Sequence, residues 1–300
     1  MKKKDFNALS LPGNITVNAL FILFSLACIL PLILILSVSL TDEAALTEYG
    51  YHFIPKEFTF TAYEHLFRDS KMLLSAYGTT ILVTVLGSFI NVAIMTLYAY
   101  PLSRADFPFK KTFNFYLLLP MLLTGGLVAS YMINVTVLHI KNTLWALILP
   151  SLGGGFNIFV MRTYFRENIP SELIDATRID GAGEFRTFFQ IVLPIIVPII
   201  ATMLLFNVFA FWNNWQNSLL YVNTPKLYTL QYIMQQALLN LNFMKSNMTN
   251  DPNMSEAIKH LPVQSIRMAM VIVGVGPIVL AYPFFQRYFI QGLTQGSVKG

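Results

Sequence analysis

Residues Pro170 to Pro198 read PSELIDATRIDGAGEFRTFFQIVLPIIVP, and they place Glu172, Asp175, Arg178, Asp180, Glu184 and Arg186 within 15 residues of a chain that is only 12% charged overall. Pro170 has a fixed φ and no N–H to lose, which suits the first turn of a helix, and Ser171 and Glu172 beside it favour the same end. Ile169, Leu173 and Ala176 then recur at i, i+4 and i+7 on one face. Gly181 follows Asp180, where a glycine in the left-handed conformation ends a helix. Phe185, Phe188, Phe189 and Val192 repeat at i, i+3, i+4 and i+7, so a second helix starts near Gly183 with an aromatic stripe. The stretch reads as helix, glycine turn, helix.

Asp175-Ala176-Thr177, Asp180-Gly181-Ala182, Phe188, Ile191, Leu193-Pro194 and Pro198 resemble the EAA coupling motif of binding-protein-dependent ABC importer permeases. The wider string ELIDATRIDGA is similar to the form carried by the second permease of carbohydrate importers, the group that includes the maltose system. Two positions depart from that pattern: Asp175 stands where Glu is usual and Thr177 where Ala is usual. The resemblance implies an all-α integral membrane fold, a six-helix type I ABC importer transmembrane domain with a cytoplasmic coupling helix. A lever of this kind needs a stiff helix, an apolar docking face and acids that meet basic partner groups. Leu173, Ala176 and Phe188 are expected to dock, Asp175, Asp180 and Glu184 to supply charge, and Glu172 stands with them in the coupling set. Thr177, Gly181 and Ala182 complete the coupling set, with Gly181 fixing the angle.

Composition agrees with a membrane location. The 300 residues are 55% hydrophobic, mean hydropathy is positive, and the net charge of +5 is dispersed, so no nucleic-acid face is expected. Cys28 is the single cysteine, which excludes an intrachain disulfide, and His52, His65, His139 and His260 lack metal-ligand spacing.

Apolar runs predict membrane helices at 17–40, 72–102, 113–138, 144–165, 191–212 and 263–285, separated by an N-terminal segment 1–16, a coupling loop 166–190, a loop 213–262 and a tail 286–300. The run 17–40 is too long for a signal-peptide core and no small-residue cleavage pattern follows it. In the third helix Gly125-Gly126 either permit close helix packing or loosen the helix, and packing is the expected role. On this layout twelve of the 20 Lys and Arg, including Lys2, Lys3 and Lys4, fall on the side holding both termini and the coupling stretch, against eight on longer opposite loops. That bias places both termini in the cytoplasm of a prokaryotic cell, in a multi-pass plasma-membrane protein.

No GxxxxGK[ST] phosphate loop occurs, so energy must arrive by contact. The resemblance implies the partners: two cytoplasmic ATPase subunits that hold ATP and Mg, a second homologous permease completing a heterodimer, and an extracellular solute-binding protein. No cofactor is expected in this chain, and the cargo is carbohydrate, most simply an oligosaccharide. In the maltose importer's matching permease the loop between helices five and six reaches into the binding protein, a role the resemblance extends to Asn240 and Asn242. Side chains suited to sugar hydroxyls and rings are Asn91, Tyr131, Asn134, Asn157, Asn207, Trp212, Asn213 and Trp215, although Asn also bonds helix to helix and Trp also anchors at interfaces. A permease for another solute and an ion-coupled transporter are the alternatives. The second is disfavoured because helices one to five carry almost no ionisable group at mid-depth. A membrane enzyme would need a convergent carboxylate pair or Ser-His set that is not found.

Overall fold

The computed structural model describes residues 11–68, 70–123, 125–247 and 262–297. Lys2, Lys3 and Lys4, residues 248–261 of the expected large loop and the last three residues of the tail lie outside the described residues. In chain order the helices are α1 (Leu11–Ser39), α2 (Glu43–Tyr49), α3 (Thr61–Leu66), α4 (Ser70–Ser103), α5 (Lys110–Leu122), α6 (Gly126–Val137), α7 (Trp145–Ser151), α8 (Gly155–Asn168), α9 (Ser171–Ile179), α10 (Glu184–Ile195), α11 (Val197–Trp212), α12 (Gln216–Tyr221), α13 (Leu230–Asn247) and α14 (Val263–Ser297). The all-α expectation holds. The β pairing among the described residues is one bridge, Thr41 to Phe58.

Three stretches are long and apolar enough to cross a membrane unbroken: α1, α4 and the Val263–Leu280 part of α14. Three helix pairs reach that length only together: α5 with α6, α7 with α8 bent by 59°, and α10 with α11 bent by 77°. Six spans result when each pair counts as one. The chain differs here from the uninterrupted third helix read at 113–138. Gly126 takes φ 78°, a left-handed value that only glycine adopts freely, and no heavy atom lies within 4 Å of where its Cβ would stand. The Gly125-Gly126 pair therefore breaks the helix and does not pack it.

Close packing falls to other glycines. A Cβ on Gly87 would stand 2.6 Å from the Phe211 ring, and one on Gly155 would stand 2.7 Å from Met121 Sδ. At the other bend, Pro194 and Pro198 withhold two N–H groups, and Ile196 leaves helical geometry at ψ 4°. Helix five thus continues back to Glu184, seven residues before its expected start, and α8 continues to Asn168.

The described residues fall into two compact units, residues 1–69 with 238–275, and residues 70–237 with 276–300. In the first, the polar segment after α1 is a built structure. Asp42 N–H bonds Glu57 C=O at 3.0 Å and the Asp42 carboxylate caps α2 through Ala44 N–H at 2.9 Å. Glu43 accepts from the N–H groups of Gln264 at 3.1 Å and Ser265 at 3.2 Å, and the Ser265 hydroxyl donates to Thr41 C=O at 2.8 Å. Glu43 thereby satisfies donors that the first turn of α14 would leave open.

In the second unit α4 is the central post. Val92, Met95, Ala99 and Leu102 lie at helical spacing along one face and bury against Leu117 of α5, Ile158, Met161 and Phe165 of α8, and Ile199 and Met203 of α11. Ile174 of α9 and Phe188 and Val192 of α10 belong to this same core.

Candidate functional site

The stretch quoted at the outset forms an elbow. Helix α9 ends where Gly181 takes φ 75°, with Ala182 N–H bonded to Thr177 C=O at 2.9 Å and Gly181 N–H to Arg178 C=O at 3.0 Å. This crossed pair of bonds is the Schellman termination, and it reverses the chain into α10 two residues later. Gly181 has no heavy atom within 4 Å of a would-be Cβ, so its backbone angle, not its size, is what the turn requires.

Two ties fix the elbow to the bundle. One is apolar and internal: Ile174 and Phe188 are 8% and 5% exposed, and the Tyr100 ring stands 5.0 Å from Phe188. Between them the hydroxyl of Thr187 donates to that of Thr177 at 3.2 Å, and Thr177 Oγ1 in turn donates to Ile174 C=O at 2.7 Å. Thr177, where the related motif carries Ala, adds a hydroxyl that is buried but fully engaged.

The other tie is ionic. Arg104, just past the end of α4, grips Asp106 through Nε at 2.9 Å and Nη2 at 2.8 Å, and reaches Glu184 through Nη1 at 2.5 Å. Arg178 of α9 meets the same two acids, Asp106 at 2.5 Å and Glu184 at 3.3 Å. The four charges alternate in a closed ring that joins the α4–α5 turn to both limbs of the elbow. The two arginines hold the Asp106 carboxyl well below the usual carboxylate range, chiefly through the Arg104 hydrogen bonds. Asp106 and Glu184 in turn raise the Arg178 guanidinium.

Of the expected coupling residues, Glu172, Asp175, Ala176, Asp180, Gly181 and Glu184 are exposed, Leu173 and Ala182 are half-buried, and Thr177 and Phe188 are buried. Two expected roles change. Phe188 anchors the elbow from inside and is not part of a docking face, while Glu184 spends its charge on Arg104 and Arg178. The most exposed apolar groups of the elbow are Ile179, at 87%, and Phe185, at 82%, one on each limb next to the turn. A nine-residue helix presents two candidate apolar faces, Leu173 with Ala176 and Ile174 with Thr177, and the sequence alone favoured the first. Asp106 was missed as well, although Arg104 two residues before it is an available partner. A cleft of about 610 Å³ opens beside α9, lined among others by Tyr100, Lys110, Arg166, Glu172 and Asp175.

The candidate path residues do not gather at one place. Asn91 and Asn207 form a buried pair, Asn91 Nδ2 donating to Asn207 Oδ1 at 2.6 Å, while Asn91 Oδ1 takes the Gly153 N–H at 2.7 Å and Asn207 Nδ2 reaches Met203 C=O at 2.8 Å. These amides bind α4, α11 and the α7–α8 junction together. Asn134 is also buried, donating to Tyr221 Oη at 3.1 Å, and the half-buried Tyr131 ring stacks on Tyr221 at 5.7 Å and 11°. Asn157 is half-buried, Trp212 is buried, and Asn213 and Trp215 are exposed. Sequence reasoning missed Asn217, which ties α12 to α7 through Ser151 Oγ at 2.9 Å and Leu147 C=O at 3.1 Å.

Comparison with known proteins adds context to this geometry. Residues 6–295 match the family model described as "Binding-protein-dependent transport system inner membrane component". The chain is 31% identical to the polygalacturonan/rhamnogalacturonan transport system permease protein YtcP of Bacillus subtilis, over 96% of this chain and 98% of that one. It is 33% identical to the protein LplC of the same organism, over 91% and 90%. Among solved structures, a chain of a bacterial ABC transporter involved in the import of the acidic polysaccharide alginate superposes with a TM-score of 0.76 at 25% identity, covering 94% of this chain and 99% of its own.

Proposed function

Because the chain belongs to the family of binding-protein-dependent transport system inner membrane components, we propose that it is the permease subunit of an ATP-driven importer that carries oligosaccharides, and that the elbow is where a cytoplasmic ATPase delivers work. The observation that carries this reading is the pairing of an outward apolar tip, Ile179 and Phe185, with an inward anchor, Ile174 and Phe188, in one rigid turn. A push on the tip reaches the core shared by α4, α8, α10 and α11 without bending the chain between them. The ring of Arg104, Asp106, Arg178 and Glu184 keeps the two limbs from splaying while that force acts. Each ATPase in such an assembly holds its own ATP and Mg, so this chain binds neither.

The full assembly has a second permease, two ATPase subunits and an extracellular binding protein, in the plasma membrane with both termini of this chain in the cytoplasm. Carbohydrate cargo is supported by the named relatives, which include carriers of polygalacturonan/rhamnogalacturonan and of alginate. Mild extraction of the chain from its native membrane, with every companion identified by mass, tests the reading. An ATPase and a second permease are expected, and purification with neither would overturn it.

A further inference from the structure

The span Val263–Leu280 of α14 contains a single charged residue, Arg267, its fifth. A guanidinium in such a segment is costly unless acceptors surround it, and it normally marks a functional contact. Among the described residues the acceptors are too few. Arg267 donates through Nη2 to Asn242 Oδ1 at 2.5 Å, while its Nε is buried with no hydrogen-bond partner among the described residues. Among the described residues the ion pairs join Arg104, Asp106, Arg178 and Glu184, and none includes Arg267. Asn242 offers a neutral oxygen where the charge calls for an anionic one.

We infer that Arg267 is a carboxylate-reading position, and that the oligosaccharide this chain carries is acidic, built from uronic-acid units. The inference rests on the oligosaccharide reading above and deepens it. A carboxylate has two oxygens in one plane and meets the Nε and Nη2 edge of a guanidinium side-on with two parallel bonds. One oxygen displaces the Asn242 amide oxygen, since charge-assisted bonds are about twice as strong as neutral ones. The other supplies the acceptor that Nε lacks. A neutral sugar hydroxyl does neither as well, so the site discriminates by what it would otherwise leave unpaired. Asn242 then acts as a placeholder that holds the arginine between passages.

The test is uptake by cells that carry the whole native transporter. Wild type, Arg267→Gln, Arg267→Lys and Asn242→Asp are given radiolabelled trimers of galacturonate, mannuronate and guluronate, and the same trimers with each carboxyl reduced to a hydroxymethyl group. Membrane levels of every variant are measured by immunoblot. Wild type is expected to import at least one acidic trimer in preference to its neutral counterpart. In Arg267→Gln the acidic-to-neutral ratio falls by roughly 30-fold, the size seen when one partner of a buried charged pair is removed. Arg267→Lys keeps charge but not the fork and loses less. Asn242→Asp fills the arginine with a tethered carboxylate and also lowers the ratio. If wild type imports reduced trimers and rejects all acidic ones, the inference is overturned while the oligosaccharide reading stands, whatever the variants do. An unchanged ratio in an Arg267→Gln transporter present at normal level likewise overturns it, because the residue then serves structure alone. Import of neither class by wild type overturns the oligosaccharide reading and this inference with it.

Discussion

Replacing Asp106 with Asn removes the acid that Arg104 holds with two prongs and that Arg178 also meets, without changing its size. Asp106 receives a two-pronged grip from Arg104, at 2.9 and 2.8 Å, and Arg104 is the most enclosed member, its side chain 12% exposed against 46% for Asp106. A fully buried charged hydrogen-bond pair contributes up to about 3 kcal/mol, and an exposed ion pair less than about 1. Asp106 lies between these limits, so the loss is about 1.5 kcal/mol, or roughly tenfold in the opening equilibrium of the elbow. The Arg178 contact, at the solvent edge, adds to the effect only at low salt.

Amide hydrogen exchange of the chain in lipid nanodiscs measures this at Gly181 and Ala182, whose N–H groups close the turn. Asp106→Asn should speed exchange at those two sites about tenfold and leave the core face of α11, at Met203, as it was. The pH sign follows from the depressed Asp106 pKa. Its contribution is fully present above the ordinary carboxylate pKa of about 4 and is lost only as pH falls through the lower folded value. Protection corrected for intrinsic rate should therefore be flat from about pH 6 to 8. Equal loss of protection in α11, or none at Gly181 and Ala182, would refute the ring as the brace of the elbow.

Three further outcomes follow from the same geometry. Gly181→Pro cannot reach φ 75° and removes the N–H that bonds Arg178 C=O, so uptake should vanish while membrane insertion persists; Gly181→Asn, which tolerates the left-handed region, should retain most uptake. Glu43→Ala strips the cap from α14 and should lower stability by about 1–2 kcal/mol, read as an earlier thermal unfolding transition in detergent. Gly87→Ala drives a methyl into the Phe211 ring and should destabilise by about 1–3 kcal/mol, and Phe211→Leu in the same chain should recover part of that loss in a double-mutant cycle.

Much of the fold was legible because helix termini and apolar length are local properties. The Gly181 stop and the limb starting near Gly183 depend on residues close in sequence, and each appears where the chain placed it. What stayed hidden was set by partners far along the chain. Glu43 reads as a solvated loop acid until Gln264 and Ser265 arrive 221 and 222 residues later. Glu184 reads as a free docking acid until Arg104 is seen 80 residues before it. Gly125-Gly126 was ambiguous on its face, since a glycine pair both admits a neighbour and frees φ, and here no neighbour takes the space beside Gly126. The amide pair Asn91 and Asn207, separated by 116 residues, is the same lesson in the membrane interior: a polar group there first satisfies another polar group.

The central claim is that the tip of the elbow touches an ATPase inside the cell. A chain with Cys28→Ser and Ile179→Cys carries one thiol, on the residue that is 87% exposed at the end of α9. In native membranes treated with a short bifunctional maleimide, the account predicts a single adduct with the mass of this chain plus an ATPase subunit, its yield changing when ATP and Mg are added. A thiol that a membrane-impermeant reagent labels from outside intact cells, or that forms no protein adduct in the assembled transporter, would contradict it.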